Sequence, residues 1–562
     1  MIGKRFRVLL VLGLVGTLLT ACASIPTSGS VHRGGPVTQI NDPLDLDFNP
    51  APPVKGASPE RIVEGFINAA SSPKNNYQIA REYLTRSLAS TWNPDQSVTI
   101  DDGRNRDFTH TGNQWNVQVN PVASVDAQGS YEPATNSAPV ALSYDLTQQG
   151  GEWRIMTAPD GILIDSPTFR AVFSQQTLYF FSLDDAYLVP DVRWFPARVA
   201  SEATRVVAAV LSGPAAWLSG AVASAFPQGT QLAVPAVTIS GRVAQVDLSS
   251  EAGRASPLQL QRMQAELQES LGNLAQSVSL SVAGSVQNIS PLNAEAQPQQ
   301  DPSIDADPIV LRSGSFGLLN GSNIEEFAGL SPRVVAANPT AVTITAAHDQ
   351  AAVFSNGTAV LVGKDSTPTV VDSRPGLIAP ALDNDGFVWS VPGDDPEELH
   401  VASEHVPGHT LPASWPSGSS IIALAVSRDG TRLAALLETP SGSLLALSGI
   451  VRDSTGAPIA LARPLLMPIT SGTPLSLAWA DESTIAVLCS QQGSATSIVL
   501  QTVGGLATVL SGPIDGHVVV GAGGNTQYMV LTASGALQAP AGIGWQTQSS
   551  GVGAVAVQLG QP

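Results

Sequence analysis

Apolar positions recur along this chain in three rhythms, and each rhythm predicts a different kind of element. Ile62, Val63, Phe66, Ile67 and Ala70 fall at helical spacing, the pattern of a helix that buries one face. Ser58-Pro59-Glu60 opens it, with Ser as N-cap and Pro at the first helical position. A second helix is predicted from about Tyr77, with Ala80, Leu84 and Leu88 on one side. After Pro94 the rhythm becomes alternation, in 98–100, 115–119, 140–146 and 153–156. Two helices followed by an antiparallel meander predict a small α+β domain over 58–166.

A second α+β domain is predicted over 167–284. Runs at 176–183 and 187–193 read as a hairpin around Asp184-Asp185, and an Ala/Val-rich helix at 202–211 stops at Ser212-Gly213-Pro214. Strands at 231–239 and 242–248 flank the turn Ser240-Gly241. Ser256-Pro257-Leu258-Gln259 has the form of a capping box, and the helix it starts carries Leu260, Met263, Leu267, Leu271 and Leu274 as a core stripe. Val278, Leu280 and Val282 alternate in a closing strand.

The third rhythm begins after a polar, Pro-rich stretch at 285–308, which reads as a linker open to proteases. From 309 to 562 there is no helical stripe, only short β runs ending in Gly, Asp, Ser or Asn turns. Asp385-Gly386 and Asp429-Gly430 lie 44 residues apart, the repeat of a four-stranded propeller blade. The remaining length allows five or six blades. The fold class expected is therefore multidomain: two small α+β domains followed by an all-β, propeller-like domain.

The amino terminus carries an address. Lys4, Arg5 and Arg7 precede an apolar run at 8–19, too short for a membrane span. It ends in Leu19-Thr20-Ala21-Cys22, the form of a bacterial lipobox. Residues 1–21 read as a lipoprotein signal peptide and 22–57 as an acylated cysteine with a flexible tether. Cys22 would carry S-diacylglycerol and an N-acyl group. Cleavage removes three cations and no acid, leaving 24 basic against 46 acidic residues, or −22. Two or three acyl chains hold without a basic patch, so the expected location is the extracytoplasmic face of the cell membrane.

Composition removes several functions. The chain has 562 residues, 27 Lys+Arg, 46 Asp+Glu and a net charge of −19, the wrong sign for a nucleic-acid binder. Two cysteines, Cys22 and Cys489, supply no disulfide framework, zinc knuckle or iron–sulfur site. His400, His405 and His409 with Glu397, Glu398 and Glu404 resemble a metal cluster, but Pro407-Gly408 interrupts any helix there; the segment reads as a solvated loop between blades. No G-x-S-x-G elbow exists. The pairs Asp184-Asp185 and Asp394-Asp395 fall in predicted turns, Gly521-Ala522-Gly523-Gly524 in a loop without a following helix, and Cys489 on an apolar strand as an inert thiol. No catalytic residue, metal or cofactor is expected.

Three motifs carry a resemblance. Val210-Leu211-Ser212-Gly213-Pro214, Phe226-Pro227-Gln228-Gly229-Thr230 and Val243-Ala244-Gln245-Val246-Asp247-Leu248-Ser249 resemble the core motifs of the GerMN domain, with Phe226 and Gln228 where members often have Leu and Glu. The preceding domain is similar in element order to cone-shaped folds of the nuclear-transport-factor-2 type. With the lipobox and the propeller, nearly the whole chain resembles the actinobacterial lipoprotein LpqB family. That resemblance implies a non-enzymatic envelope accessory of a two-component system, binding the extracellular domain of an MtrB-like sensor histidine kinase. The alternative is a binder of peptidoglycan or another wall polymer.

Overall fold

The computed structural model describes residues 50–561 except 105, 137, 198 and 525. The signal peptide, the lipobox (Leu19, Thr20, Ala21, Cys22) and most of the tether lie outside the described residues. The described residues form one compact unit.

Its first helix, Pro59–Ala70, starts where expected: the Ser58 side chain accepts from Arg61 N, and Ile62, Val63, Phe66, Ile67 and Ala70 are buried. The second is broken into Gln78–Glu82 and Arg86–Thr91. The break has a cause in the backbone. Thr85 N donates to Ile155 O at 2.8 Å and Ile155 N to Tyr83 O at 3.0 Å, bonds that a continuous helix would have to give up. The strands form two four-stranded sheets rather than one antiparallel meander. Ile162–Asp165 returns to pair in parallel with Ser97–Asp101.

The second domain is built on a long hairpin, Phe173–Ser182 with Leu188–Pro196, in unbroken register from Phe173↔Pro196 to Phe181↔Leu188. Helix Glu202–Ser212 ends at Gly213, whose φ of 91° only glycine adopts freely. Val243–Leu248 and Ser277–Val282 pair in parallel, joined by helix Pro257–Ser270, in which Met263 and Leu267 are buried. The strand expected at 231–239 is reduced to Thr238–Ser240. Pro235 offers no N–H, and the segment before it is tied instead by Ala233 N to Asp247 O and by Ser249 N to Gln231 O, both 2.8 Å.

The carboxyl-terminal region is a propeller of six blades, five of them four-stranded and the fourth five-stranded, with Pro458–Leu461 and Leu465–Ile469 both paired to Gly442–Arg452. Innermost strands Ala341–Ile344, Ala381–Leu382, Ser420–Val426, Thr473–Trp479 and Gly516–Gly521 each lead a blade, and Val552–Gln558 takes that place in the remaining one, beside Ile309–Arg312. Counting blades along the chain, Ile309–Arg312 belongs to blade one and Gly516–Gly521 to blade six. Val552–Gln558 also runs parallel to Ala341–Ile344 of blade two, so the ring closes. The Asp385-Gly386 and Asp429-Gly430 turns occupy the same place in successive blades, between the innermost strand and its neighbour. A short helix, Ser331–Ala336, is the one departure from all-β structure among the described residues of this region.

The stretch at 285–308 is docked rather than free. Gln299 N donates to Ala186 O at 2.8 Å and Leu188 N to Gln299 O at 2.9 Å. Beyond it the chain crosses the inner-turn face of the propeller. Asp301 N and Glu482 Oε2 are 3.1 Å apart, His348 meets Asp305 at 2.9 Å, and Pro302 and Ile304 are buried. Apolar packing is continuous as well: Leu178, Phe180 and Val206 of the second domain share one core with Leu445, Leu477 and Val487 of the propeller.

Candidate functional site

The residues that sequence chemistry singles out are dispersed. His400–Ala402 and His409–Thr410 are neighbouring strands of blade three, so this segment is the outer hairpin of one blade rather than a loop between blades. Its cause is alternation in 399–402, which the prolines at 407 and 412 bound. His409 Nε2 lies 3.0 Å from Pro458 O of the next blade. Burial pulls the His400 imidazole below its usual range. Among the described residues no three His, Cys, Asp or Glu side chains converge to hold a metal ion.

Both carboxylate pairs serve turns. Asp184 Oδ1 accepts from Ser182 Oγ at 2.5 Å and Ala186 N at 3.1 Å, while Asp185 sits at φ 63° and meets Arg262 at 2.8 Å. Asp395 N donates to Pro392 O at 3.2 Å. Cys489 is buried, and burial pushes its thiol up to about 11, far from a reactive thiolate. In the glycine loop, a Cβ on Gly523 would stand 2.4 Å from Ile304 O. That glycine admits the crossing strap.

Two of the three family-like motifs are anchored by buried charged side chains, the one ending at Gly213-Pro214 by an ion pair. Arg193 grips Asp191 through two bonds, at 3.0 and 2.6 Å, and both side chains are almost fully buried. Arg193 Nη1 then donates to Gln128 O of the first domain at 3.0 Å, and Asp191 Oδ2 accepts from Ala215 N at 2.8 Å. The end of helix Glu202–Ser212 is thereby locked to the neighbouring domain. The next residue, Trp194, donates from Nε1 to Gly504 O of blade five at 3.0 Å. One strand therefore binds all three domains.

The Phe226-Pro227 motif is held from below by Glu266, which is fully buried. Its Oε2 accepts from Ala225 N at 2.7 Å and its Oε1 from Ser224 Oγ at 3.1 Å. Burial pushes this carboxyl up to about 8, against the pull of those donors. In the sequence, Glu266 interrupts no stripe and looks like a surface residue.

Where the hairpin turn of the second domain faces the propeller, a cavity of ≈ 410 Å³ opens, bordered by Ser182, Asp184, Asp385, Asp429 and Arg452. Burial would raise Asp429, but Arg432 and hydrogen bonds from Ser427 and Thr431 outweigh it and hold the carboxyl below its usual range. Arg432, wholly buried, stacks 4.7 Å above the Trp479 ring and donates to Glu482 O at 2.7 Å. A second cavity of ≈ 410 Å³ runs along helix Pro257–Ser270, bordered by Leu188, Gln261, Gln268, Ile289 and Leu292. Both recesses are lined by polar and apolar side chains together. No sequence periodicity announces them, because each is assembled from segments far apart in the chain.

Comparison with known proteins matches the chain in three consecutive pieces. Residues 52–170 match the family model described as "Lipoprotein LpqB, N-terminal domain", residues 177–288 "Sporulation and spore germination", and residues 314–556 "Lipoprotein LpqB beta-propeller domain". A lipoprotein LpqB of Streptomyces coelicolor is 26% identical with 98% of each chain covered. That of Bifidobacterium longum is 28% identical with 77% of each covered. That of Cutibacterium acnes is 32% identical over 47% of this chain and 44% of the relative. Among solved structures, TolB from Acinetobacter baumannii aligns with a TM-score of 0.32 at 15% identity, over 44% of this chain and 64% of that one. With three matching domains in this order and a relative aligned from end to end, the chain belongs to the LpqB lipoprotein family.

Proposed function

We propose that this chain is a lipid-anchored accessory on the extracytoplasmic face of the cell membrane, which binds and modulates the extracellular domain of an MtrB-like sensor histidine kinase and catalyses no reaction itself. In this reading, Cys22 behind Leu19-Thr20-Ala21 carries the anchor, residues 22–57 tether the body, and the divisions at 58–166, 167–284 and 309–562 are its three domains. The observation that carries the reading is the fusion of those domains through the Asp191–Arg193 pair and a shared apolar core. A fused body presents its recesses in fixed relative positions, which lowers the ordering cost of a partner interface. A tether of this length reaches about 30–35 Å by flexible-chain scaling, so a neighbouring ectodomain would be met at high effective concentration.

The test places the full acylated chain in vesicles and measures binding of the purified sensor ectodomain and, separately, co-sedimentation with cell wall. Saturable ectodomain binding supports the reading. No ectodomain binding together with co-sedimentation overturns it in favour of a wall-polymer binder.

A further inference from the structure

Blades five and six are nearly free of charge. Between positions 484 and 562 Asp515 is the single Asp, Glu, Lys or Arg, in a chain with 27 Lys+Arg and 46 Asp+Glu. On this neutral flank the outer strand of blade five, Ala507–Ser511, is exposed at every position, with Val509 54% and Leu510 41% accessible.

The strand leaves a defined set of backbone groups open. It pairs without irregularity from Ser497↔Ser511 to Gln501↔Ala507. Gly512 N donates to Thr496 O at 2.8 Å and Thr502 N to Leu506 O at 3.4 Å. Antiparallel alternation then turns the N–H and C=O of Ala507, Val509 and Ser511 outward. Trp545 Nε1 takes the Ser511 carbonyl at 3.1 Å, and at the other end Leu506 packs on the first domain's core. The fully open groups are those of Ala507 and Val509.

The other outer strands are blunted, as sheet edges in soluble proteins are. Asn323–Glu325 is three residues long and ends in a carboxylate, and His409–Thr410 has two residues. Thr369–Asp372 and Gly544–Ser549 pair with register shifts. Blade four's Pro458–Leu461 and Leu465–Ile469 each carry a proline. Ala507–Ser511 has none of these protections.

We propose that Ala507–Ser511 pairs antiparallel with the same strand of a second copy of this chain, about a two-fold axis beside Thr508. Ala507 of each copy then faces Val509 of the other, and the N–H and C=O of both residues find partners. Thr508 faces its counterpart as a non-hydrogen-bonded pair, with Cα atoms about 4.5 Å apart. A second copy fits because two chains of net charge −19 meet with least repulsion through the flank where Asp515 is the single charge between 484 and 562. The open edge, stopped by Trp545 at one end and by the domain contact at the other, has the length of this short symmetric register. So small a contact is far below the ~1,600 Å² of a standard interface, so the pairing is weak in solution and strengthens where chains are confined together.

The test uses the full chain carrying Thr508→Cys at high surface density in phosphatidylcholine vesicles under mild oxidation; Cys489 is buried and does not compete. The expected result is a reducible covalent dimer. Val370→Cys, on the outer strand of blade two and 58% exposed, should give at least tenfold less. Adding Val509→Lys to Thr508→Cys should lower the dimer yield at least tenfold with an unchanged circular dichroism spectrum. Equal yields from Thr508→Cys and Val370→Cys, or indifference to Val509→Lys, overturn the proposal. A Thr508→Cys chain that stays monomeric overturns it too, and leaves the edge to a strand of another protein.

Discussion

The phenol of Tyr179, on the central hairpin of the second domain, donates to Glu482 Oε1 of blade five at 2.8 Å, a bond between residues 303 positions apart. Burial pushes the Glu482 carboxyl up to about 7, with the nearby Asp301 adding to it and the Tyr179 hydrogen bond opposing. Tyr179→Phe should lower unfolding stability by about 1–3 kcal/mol, the cost of stripping a donor from a largely buried acceptor. Urea denaturation checks this. A loss below 0.5 kcal/mol, the size of an ordinary surface change, would mean the bond does not hold the domains.

Docking of the stretch at 285–308 alters the proteolysis expected of a linker. Thermolysin should cut there slowly, and any cut chain should elute from gel filtration as one species, because the second domain and the propeller share a core. A single calorimetric transition should accompany this. Fragments that separate without denaturant would contradict the shared core.

Glu266 sets a pH dependence. Its carboxyl titrates near 8 in the folded protein against an ordinary 4.5, so the folded state holds a proton that the unfolded state has already lost between those values. Stability should therefore fall as pH rises from about 5 to about 8 and level off above. Glu266→Gln, which keeps an acceptor for Ala225 N and has no proton to lose, should flatten that slope and stabilise the protein at pH 8. Thermal melts across this range decide it; an unchanged slope in the variant would assign the dependence elsewhere.

The anchor has its own test. Cys22→Ser should leave the precursor uncleaved by the lipoprotein peptidase and unlabelled by a metabolic lipid probe. Normal labelling of the variant would remove the lipid from Cys22.

What the sequence made legible was local. Ser58 and Ser256 cap the helices they announce, and the Asp-Gly turns recur at the blade repeat because each closes the same inner hairpin. What it hid was non-local. Leu84-Thr85 carries a helical pattern, yet the chain breaks there to bond Ile155. The run at 231–239 alternates like a strand, but Pro235 cannot join a ladder. Glu266 reads as a solvated residue because nothing in its neighbours reveals the Ser224-Ala225 donors some forty positions away. Arg193 and Trp194 look like ordinary strand residues, while their partners, Gln128 and Gly504, lie on different domains. Side chains that join domains leave no periodic trace.

Closure of the ring by Val552–Gln558 also imposes an order in time. Ile309–Arg312 is made early and its partner strand late, and chains are synthesised from the amino end with domains folding as units. Until the late strand arrives, blade one lacks its inner member and shows an open edge, the kind of surface that recruits proteases and aggregates. A chain halted anywhere before position 552 can never seal that seam. The ring thus works as a gauge of completeness, distinguishing a finished molecule from a truncated one before either has met a partner.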